Sequence, residues 1–157
     1  MFSKVIAQIQ FEIGQIDKLF ETYAELLQTV AQRTPTLVEL TALGSVIHSF
    51  YNGVENIFGR IAKAIDQSEP SGPTSHRDLL TQMGKATVNR PTVVSNRTAE
   101  QLEAYRMFRH FYRHSYSYFL SWDELESLVT SLPHVWEDLK QDLYQLVAAL
   151  QSPSDPK

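Results

Sequence analysis

The amino-acid sequence predicts an all-α protein, an up-down bundle of about five helices. Apolar residues recur at spacings of three and four along nearly the whole chain, the period of a helix that buries one face. Proline, glycine and serine break that pattern in only a few places, around Pro35, between Ser68 and Thr74, and after Ser152. The 157 residues suffice for one core, expected over 1–151 with a frayed tail over 152–157.

The elements follow in order. Val5, Ile6, Ile9, Ile13, Ile16, Leu19, Phe20, Tyr23, Leu26, Leu27 and Val30 form one stripe, so a single long helix is expected from Phe2 to Gln32. Thr34-Pro35 ends it, because proline lacks a donor and restricts the residue before it. A second stripe from Leu37 through Ile47, Phe50, Val54, Phe58 and Ile65 predicts a helix over Thr36 to Asp66. Gly44, Gly53 and Gly59 lie within it, which suggests the close approach of a neighbour. After the Ser68–Thr74 loop, Thr74 or Ser75 is expected to cap a short helix carrying Leu79, Leu80 and Met83. The stretch from Thr87 to Asn96 has Pro91 and β-branched residues but no helical period, and reads as an extended connection crossing the molecule. Thr98 to Gln101 has a capping-box pattern, opening a helix with Leu102, Tyr105, Met107, Phe108 and Phe111. That helix is expected to end near Ser115–Tyr118. Ser121 then caps a last helix running to about Leu150, with Pro133 as a point of kinking or splitting.

Composition narrows the function. With no cysteine, disulfides and thiolate metal sites are excluded. No uninterrupted apolar run reaches the length of a membrane span, and Met1-Phe2-Ser3-Lys4 lacks a signal-peptide pattern, so a cytoplasmic location is the default. The formal net charge of −4 repels nucleic acid overall, so contact with RNA or DNA needs a local patch. Walker, G-x-G-x-x-G and G-x-S-x-G motifs and a cysteine nucleophile are all missing, and no cofactor is expected.

One local patch exists. Arg109-His110-Phe111-Tyr112-Arg113-His114-Ser115-Tyr116 holds two arginines, two histidines and two tyrosines, and nothing acidic lies between Glu103 and Asp123. Arg90, Arg97, Arg106, Arg109 and Arg113 make five of the 14 basic side chains, against only Glu100 and Glu103 in the same interval. Metal-free phosphodiester cleavage needs a base for the 2′-hydroxyl, an acid for the leaving oxygen and a fixed cation for the phosphate. Histidine titrates near neutral pH and arginine donates a two-pronged fork, so Arg109 and His114 supply both types. On a straight helix they lie about 140° apart around the axis. Two copies facing across a two-fold axis would close one cleft between them, which favours a composite dimeric site. Arg109 and Tyr116 share one face, His110 and His114 another.

On residue types alone, a solvated surface or a plain dimer contact accounts for the same face. His110 and His114 also have the i, i+4 spacing of metal ligands, but no third ligand accompanies them. Tyr105, Phe108 and Phe111 are most simply core residues. His48 reads as a core or edge histidine and His134 as structural. His76 either reaches the site or merely caps its helix.

The segment Arg109 to Tyr116 reads as R-x4-H-x-Y, and it resembles the HEPN superfamily, the HepT branch in particular. Phe50-Tyr51-Asn52-Gly53-Val54-Glu55 with Ile57–Asp66, then Ser75–Met83, Phe119–Leu125 and Leu132–Leu139, resemble further HepT segments in the same order. The resemblance spans Phe2 to Leu150. It implies a HEPN-like fold and a toxin of a toxin–antitoxin pair, a dimeric, metal-independent ribonuclease. It further implies three catalytic residues: Arg109 as phosphate ligand, His114 as acid–base group, and His110, standing where the family commonly has Asn, to order the site or serve as a second titrating group. Tyr116 matches the tyrosine that an MNT-type nucleotidyltransferase antitoxin modifies with AMP. RNA would dock on Arg109, Arg113 and Arg106, with Tyr112 or Tyr116 stacking on bases. The alternative is an inactive HEPN-type module that only binds a nucleotidyltransferase partner or RNA.

Overall fold

The computed structural model describes residues 1–114, 116 and 120–152, and these form an all-α bundle. The helices are α1 (Ser3–Thr22), α2 (Ala24–Val30), α3 (Leu37–Ile61), α4 (Ser75–Met83), α5 (Asn96–His114) and α6 (Trp122–Gln151), with one π-helical turn, Ala62–Asp66, extending α3. No helix of the described residues is long and apolar enough to cross a membrane.

α3 is the central element and packs on α1, α4, α5 and α6. Its stripe from Leu43 to Ile61 is almost wholly buried. A capping box starts it: the Glu39 N–H donates to Thr36 Oγ1 (3.2 Å) and the Thr36 N–H to Glu39 Oε1 (2.9 Å). The sequence carries this T-x-x-E pattern just after Pro35. Phe20, Phe50, Tyr105 and Trp136 from four helices meet edge-on or stacked, with ring centroids 5.5–6.4 Å apart. Trp136 Nε1 donates to Asp17 Oδ1 (2.8 Å), tying α6 to α1.

Two of the three α3 glycines meet a neighbour closely. A Cβ on Gly53 would lie 2.8 Å from Ile16 Cγ1, and one on Gly44 would lie 2.7 Å from Leu120 Cδ1. At Gly59 the nearest atom would be 3.9 Å away, so that glycine is not explained by packing.

Several boundaries differ from the sequence reading. The expected single first helix is two, broken at Tyr23 (φ −107°, ψ 15°). The Thr22 hydroxyl donates to the Lys18 carbonyl (2.7 Å), a back-bond that bends helices. Thr74 precedes α4, but its hydroxyl donates to Asp78 Oδ2 (2.7 Å) instead of capping the backbone. Thr98 is not the cap of α5. Ser95 is, accepting from the Thr98 N–H (3.1 Å), while Thr98 lies buried in the first turn. Ser121 occupies the N-cap position of α6 without a side-chain cap bond. Pro133 does not split α6, which runs unbroken from Trp122 to Gln151. Met107 and Phe111 are exposed, 60% and 37%, because they fall on the outer side of α5 while Leu102, Tyr105 and Phe108 face inward. α5 ends at His114, as expected near Ser115; the rest of that expectation, on Ser115, Ser117 and Tyr118, lies outside the described residues. Phe119 and the tail over 153–157 lie outside them too.

The connection between α4 and α5 makes a tight turn, with Thr87 and Arg90 bridged, and then buries Val93 and Val94. Arg90 is buried here. Its Nε donates to Asp66 Oδ1 (2.7 Å) and its Nη2 to Oδ2 (2.6 Å), a two-pronged pair. Gln82 Nε2 also donates to Asp66 Oδ2 (2.7 Å). This pair fastens the end of α3 to α4 and to the connection, so Arg90 holds the fold together and contributes no surface charge.

Candidate active site

The middle of α3, the start of α4 and the second half of α5 converge on Arg109. Its Nε lies 3.0 Å from Glu55 Oε1 and donates to Asn52 Oδ1 (3.2 Å). Its Nη1 lies 3.3 Å from His76 Nε2. On its other side His76 Nδ1 is 2.7 Å from Glu55 Oε2. The Glu55 carboxylate therefore holds a guanidinium with one oxygen and an imidazole with the other. Only 14% of the Arg109 side chain and 11% of Glu55 is exposed, so the pair is well shielded from water.

The partners fix the protonation of this network. Arginine only donates and carboxylate only accepts. His76 therefore carries its proton on Nδ1, donates it to Glu55, and offers the Nε2 lone pair to Arg109. Asn52 accepts from Arg109 through Oδ1, so its amide Nδ2 donates to His48 Nε2 (3.1 Å). His48 is thereby neutral. Burial pushes its pKa below the usual imidazole value, and the charges of Arg109 and Arg113 push it the same way. The His48 ring stacks on Tyr112, centroids 4.7 Å apart.

Arg109 also lines a cleft of about 240 Å³ between α4 and α5. Its walls include His76, Arg77, Arg106 and His110, and no carboxylate lines it among the described residues. Arg106 is held by Glu103, with Nε donating to Oε2 (2.9 Å). That bond keeps the Glu103 carboxyl below its usual range and the Arg106 guanidinium above it. His114 lies one turn beyond His110, their rings 4.8 Å apart and both residues exposed.

A family model described as "HepT-like protein" matches residues 42–150, more than two thirds of the chain. The protein belongs to the HepT-like family of the HEPN superfamily. No curated protein and no solved structure matches it. The match takes in most of α3, all of α4 and α5, which with α3 build the Arg109 network, and α6 as far as Leu150.

In this HepT-like protein the sequence-derived site residues separate into groups. Arg109, Arg106 and His110 share the cleft, and His76 reaches it rather than capping its helix. His114 and Arg113 are exposed at the end of α5. Among the described residues Arg113 has no side-chain partner. The other four arginines of the expected cationic interval are engaged, Arg90 with Asp66, Arg97 with Asp138 and His134, Arg106 with Glu103, and Arg109 with Glu55. The free positive patch is smaller than the composition suggests. Tyr112 is half-buried against Phe108 and His48, whereas Tyr116 is 70% exposed. Because α5 ends at His114, Tyr116 is not in helical register with Arg109. His134, read as structural, is exposed and lies against Arg97 (3.0 Å) and Asp138 (3.4 Å).

Residue types do not single out Glu55 or Asn52, and they leave His76 open between reaching the site and capping its helix. A weak signal existed. His48, Asn52 and Glu55 fall at spacings of four and three, a polar ridge on an otherwise apolar helix.

Proposed function

We propose that this protein is a toxin-type, metal-independent endoribonuclease acting as a homodimer. The observation that carries the reading is the fixed Arg109 guanidinium. Its Nε is anchored by Glu55 and Asn52, and it lines a cleft walled by Arg77, Arg106, His76 and His110. A scissile phosphate would accept from its remaining Nη protons, where growing charge is met without reorganisation. His114 of the opposing subunit would transfer a proton as the RNA 2′-hydroxyl attacks, leaving a cyclic phosphate. Exposed Arg113 would hold a neighbouring phosphate. The i, i+5 offset of Arg109 and His114 supports sharing the site between two copies.

Exposed Tyr116 is the proposed AMP acceptor, with an MNT-type nucleotidyltransferase as antitoxin. An adenylate there would add negative charge and bulk where RNA must dock. A binding-only module is the second reading. It is favoured by one observation, that Glu55 and Glu103 already engage Arg109 and Arg106.

RNA cleavage by purified protein in EDTA decides between them. The expected result is cleavage by wild type and a loss of about 10²-fold or more in Arg109→Ala and His114→Ala. Equal cleavage by wild type and His114→Ala removes His114 from the mechanism. No cleavage by wild type, with RNA or partner binding weakened in Arg109→Ala, establishes the binding module. Whole AMP units on Tyr116 after co-expression with an MNT-type nucleotidyltransferase would identify the partner.

A further inference from the structure

Cleavage by 2′-hydroxyl attack involves two proton transfers, and His114 provides for one of them. We infer that His76, oriented by Glu55, is the second proton-transfer group, the base that takes the 2′-hydroxyl proton. This assignment rests on the ribonuclease reading and deepens it.

The geometry is that of a base with its orienting carboxylate. Glu55 Oε2 lies 2.7 Å from His76 Nδ1, and that bond fixes both the ring plane and the tautomer. The Nε2 lone pair is left on the cleft side, beside the guanidinium that would hold the phosphate. The present Nη1 to Nε2 separation of 3.3 Å is long for a strong bond. A phosphate oxygen that accepts from Arg109 competes with it and frees the lone pair. Proton gain at Nε2 then makes an imidazolium, which the Glu55 carboxylate stabilises across Nδ1.

The other groups around the cleft are less suited. Glu55 has one oxygen on Arg109 and the other on His76. Tyr51, 1% exposed beneath Glu55, is kept neutral because burial raises its phenol. His48 has Nε2 bonded to Asn52 and its ring against Tyr112. His110 is exposed, with His114 and no carboxylate beside it among the described residues. The charged groups facing His76 are Glu55 from α3, Arg106 and Arg109 from α5, and Arg77 from its own helix.

The step balances. The O2′–H bond breaks and the proton goes to His76 Nε2. The O2′–P bond forms as the P–O5′ bond breaks. The electron pair leaves on O5′, which takes a proton from His114. The products are a 2′,3′-cyclic phosphate and a 5′-hydroxyl.

The test is the pH profile of kcat/KM on a dinucleotide substrate in EDTA, with a second substrate whose bridging 5′ oxygen is sulfur. Such a thiolate leaves without protonation. His76→Ala and His76→Gln are expected to lose about 10²–10⁴-fold, and the rise in rate on the acid side of the profile should vanish. The sulfur substrate should restore His114→Ala and leave His76→Ala slow. Glu55→Gln should shift the acid limb without removing it, since the imidazole remains. Circular dichroism confirms that each variant is folded, and two replacements at His76 guard against one failing to fold. An unaltered acid limb in a folded His76 variant, with wild type active, overturns this assignment and leaves the ribonuclease reading standing. Rescue of His76→Ala by sulfur also overturns it, by making His76 the acid. A wild-type protein that cleaves no RNA overturns both.

Discussion

Gly53→Ala tests whether α1 is seated on α3 through a backbone-close contact. The added methyl would lie 2.8 Å from Ile16 Cγ1 and 2.9 Å from Ile16 Cδ1. Carbon atoms pack best at about 3.5–4.0 Å, so both distances are repulsive. Ile16 is 3% exposed, and a β-branched side chain in a helix has one strongly preferred χ1, so it cannot swing clear. Overpacking of this kind costs about 1–3 kcal/mol. Alanine in place of a mid-helix glycine returns about 1 kcal/mol through helix propensity. The net is a destabilisation of about 1 kcal/mol, reaching 2 if α1 shifts. In a chain of this size that lowers Tm by about 2–4 °C per kcal/mol. Thermal and urea unfolding followed by circular dichroism would read it. Ile16→Ala removes both contacting carbons, so in that background Gly53→Ala should become stabilising by roughly its propensity gain. The same effect in both backgrounds, or a gain in the wild-type background, refutes the close-contact argument.

Three other perturbations follow from the structure. Asp66→Ala strands the buried Arg90 charge and should cost about 3–5 kcal/mol in urea unfolding, far more than any exposed ion pair here. Ser95→Ala removes the α5 cap and one partner of buried Thr98, an expected loss of about 1 kcal/mol by the same assay. His48 titrates below the ordinary imidazole value of 6.5, so the unfolded chain binds its proton more readily than the folded one. Stability should therefore decline as pH falls from 6.5 toward the lowered value. His48→Phe, which keeps a ring on Tyr112, should flatten that part of the curve in unfolding measured from pH 7 to 5.

The local period of three and four determined the helices, their buried stripes and the all-α class, because a helix is specified by residues within a turn or two of each other. The same locality made the Arg109–Tyr116 segment visible as chemistry. It also misled at the ends, where Ser95 and Thr98 compete for one cap and only the chain's approach to α6 selects Ser95, whose N–H donates to Asp142 Oδ2 (3.0 Å). What the sequence left open is which charges meet. Asn52 lies 57 residues before Arg109 and His76 lies 33 before it, and no periodic pattern links them. Packing of α4 and α5 on α3 brought them together, and partial burial there favours paired donors and acceptors. That preference turned Glu55 into the hinge between a guanidinium and an imidazole, and it withdrew Arg90 from the surface into a structural pair with Asp66.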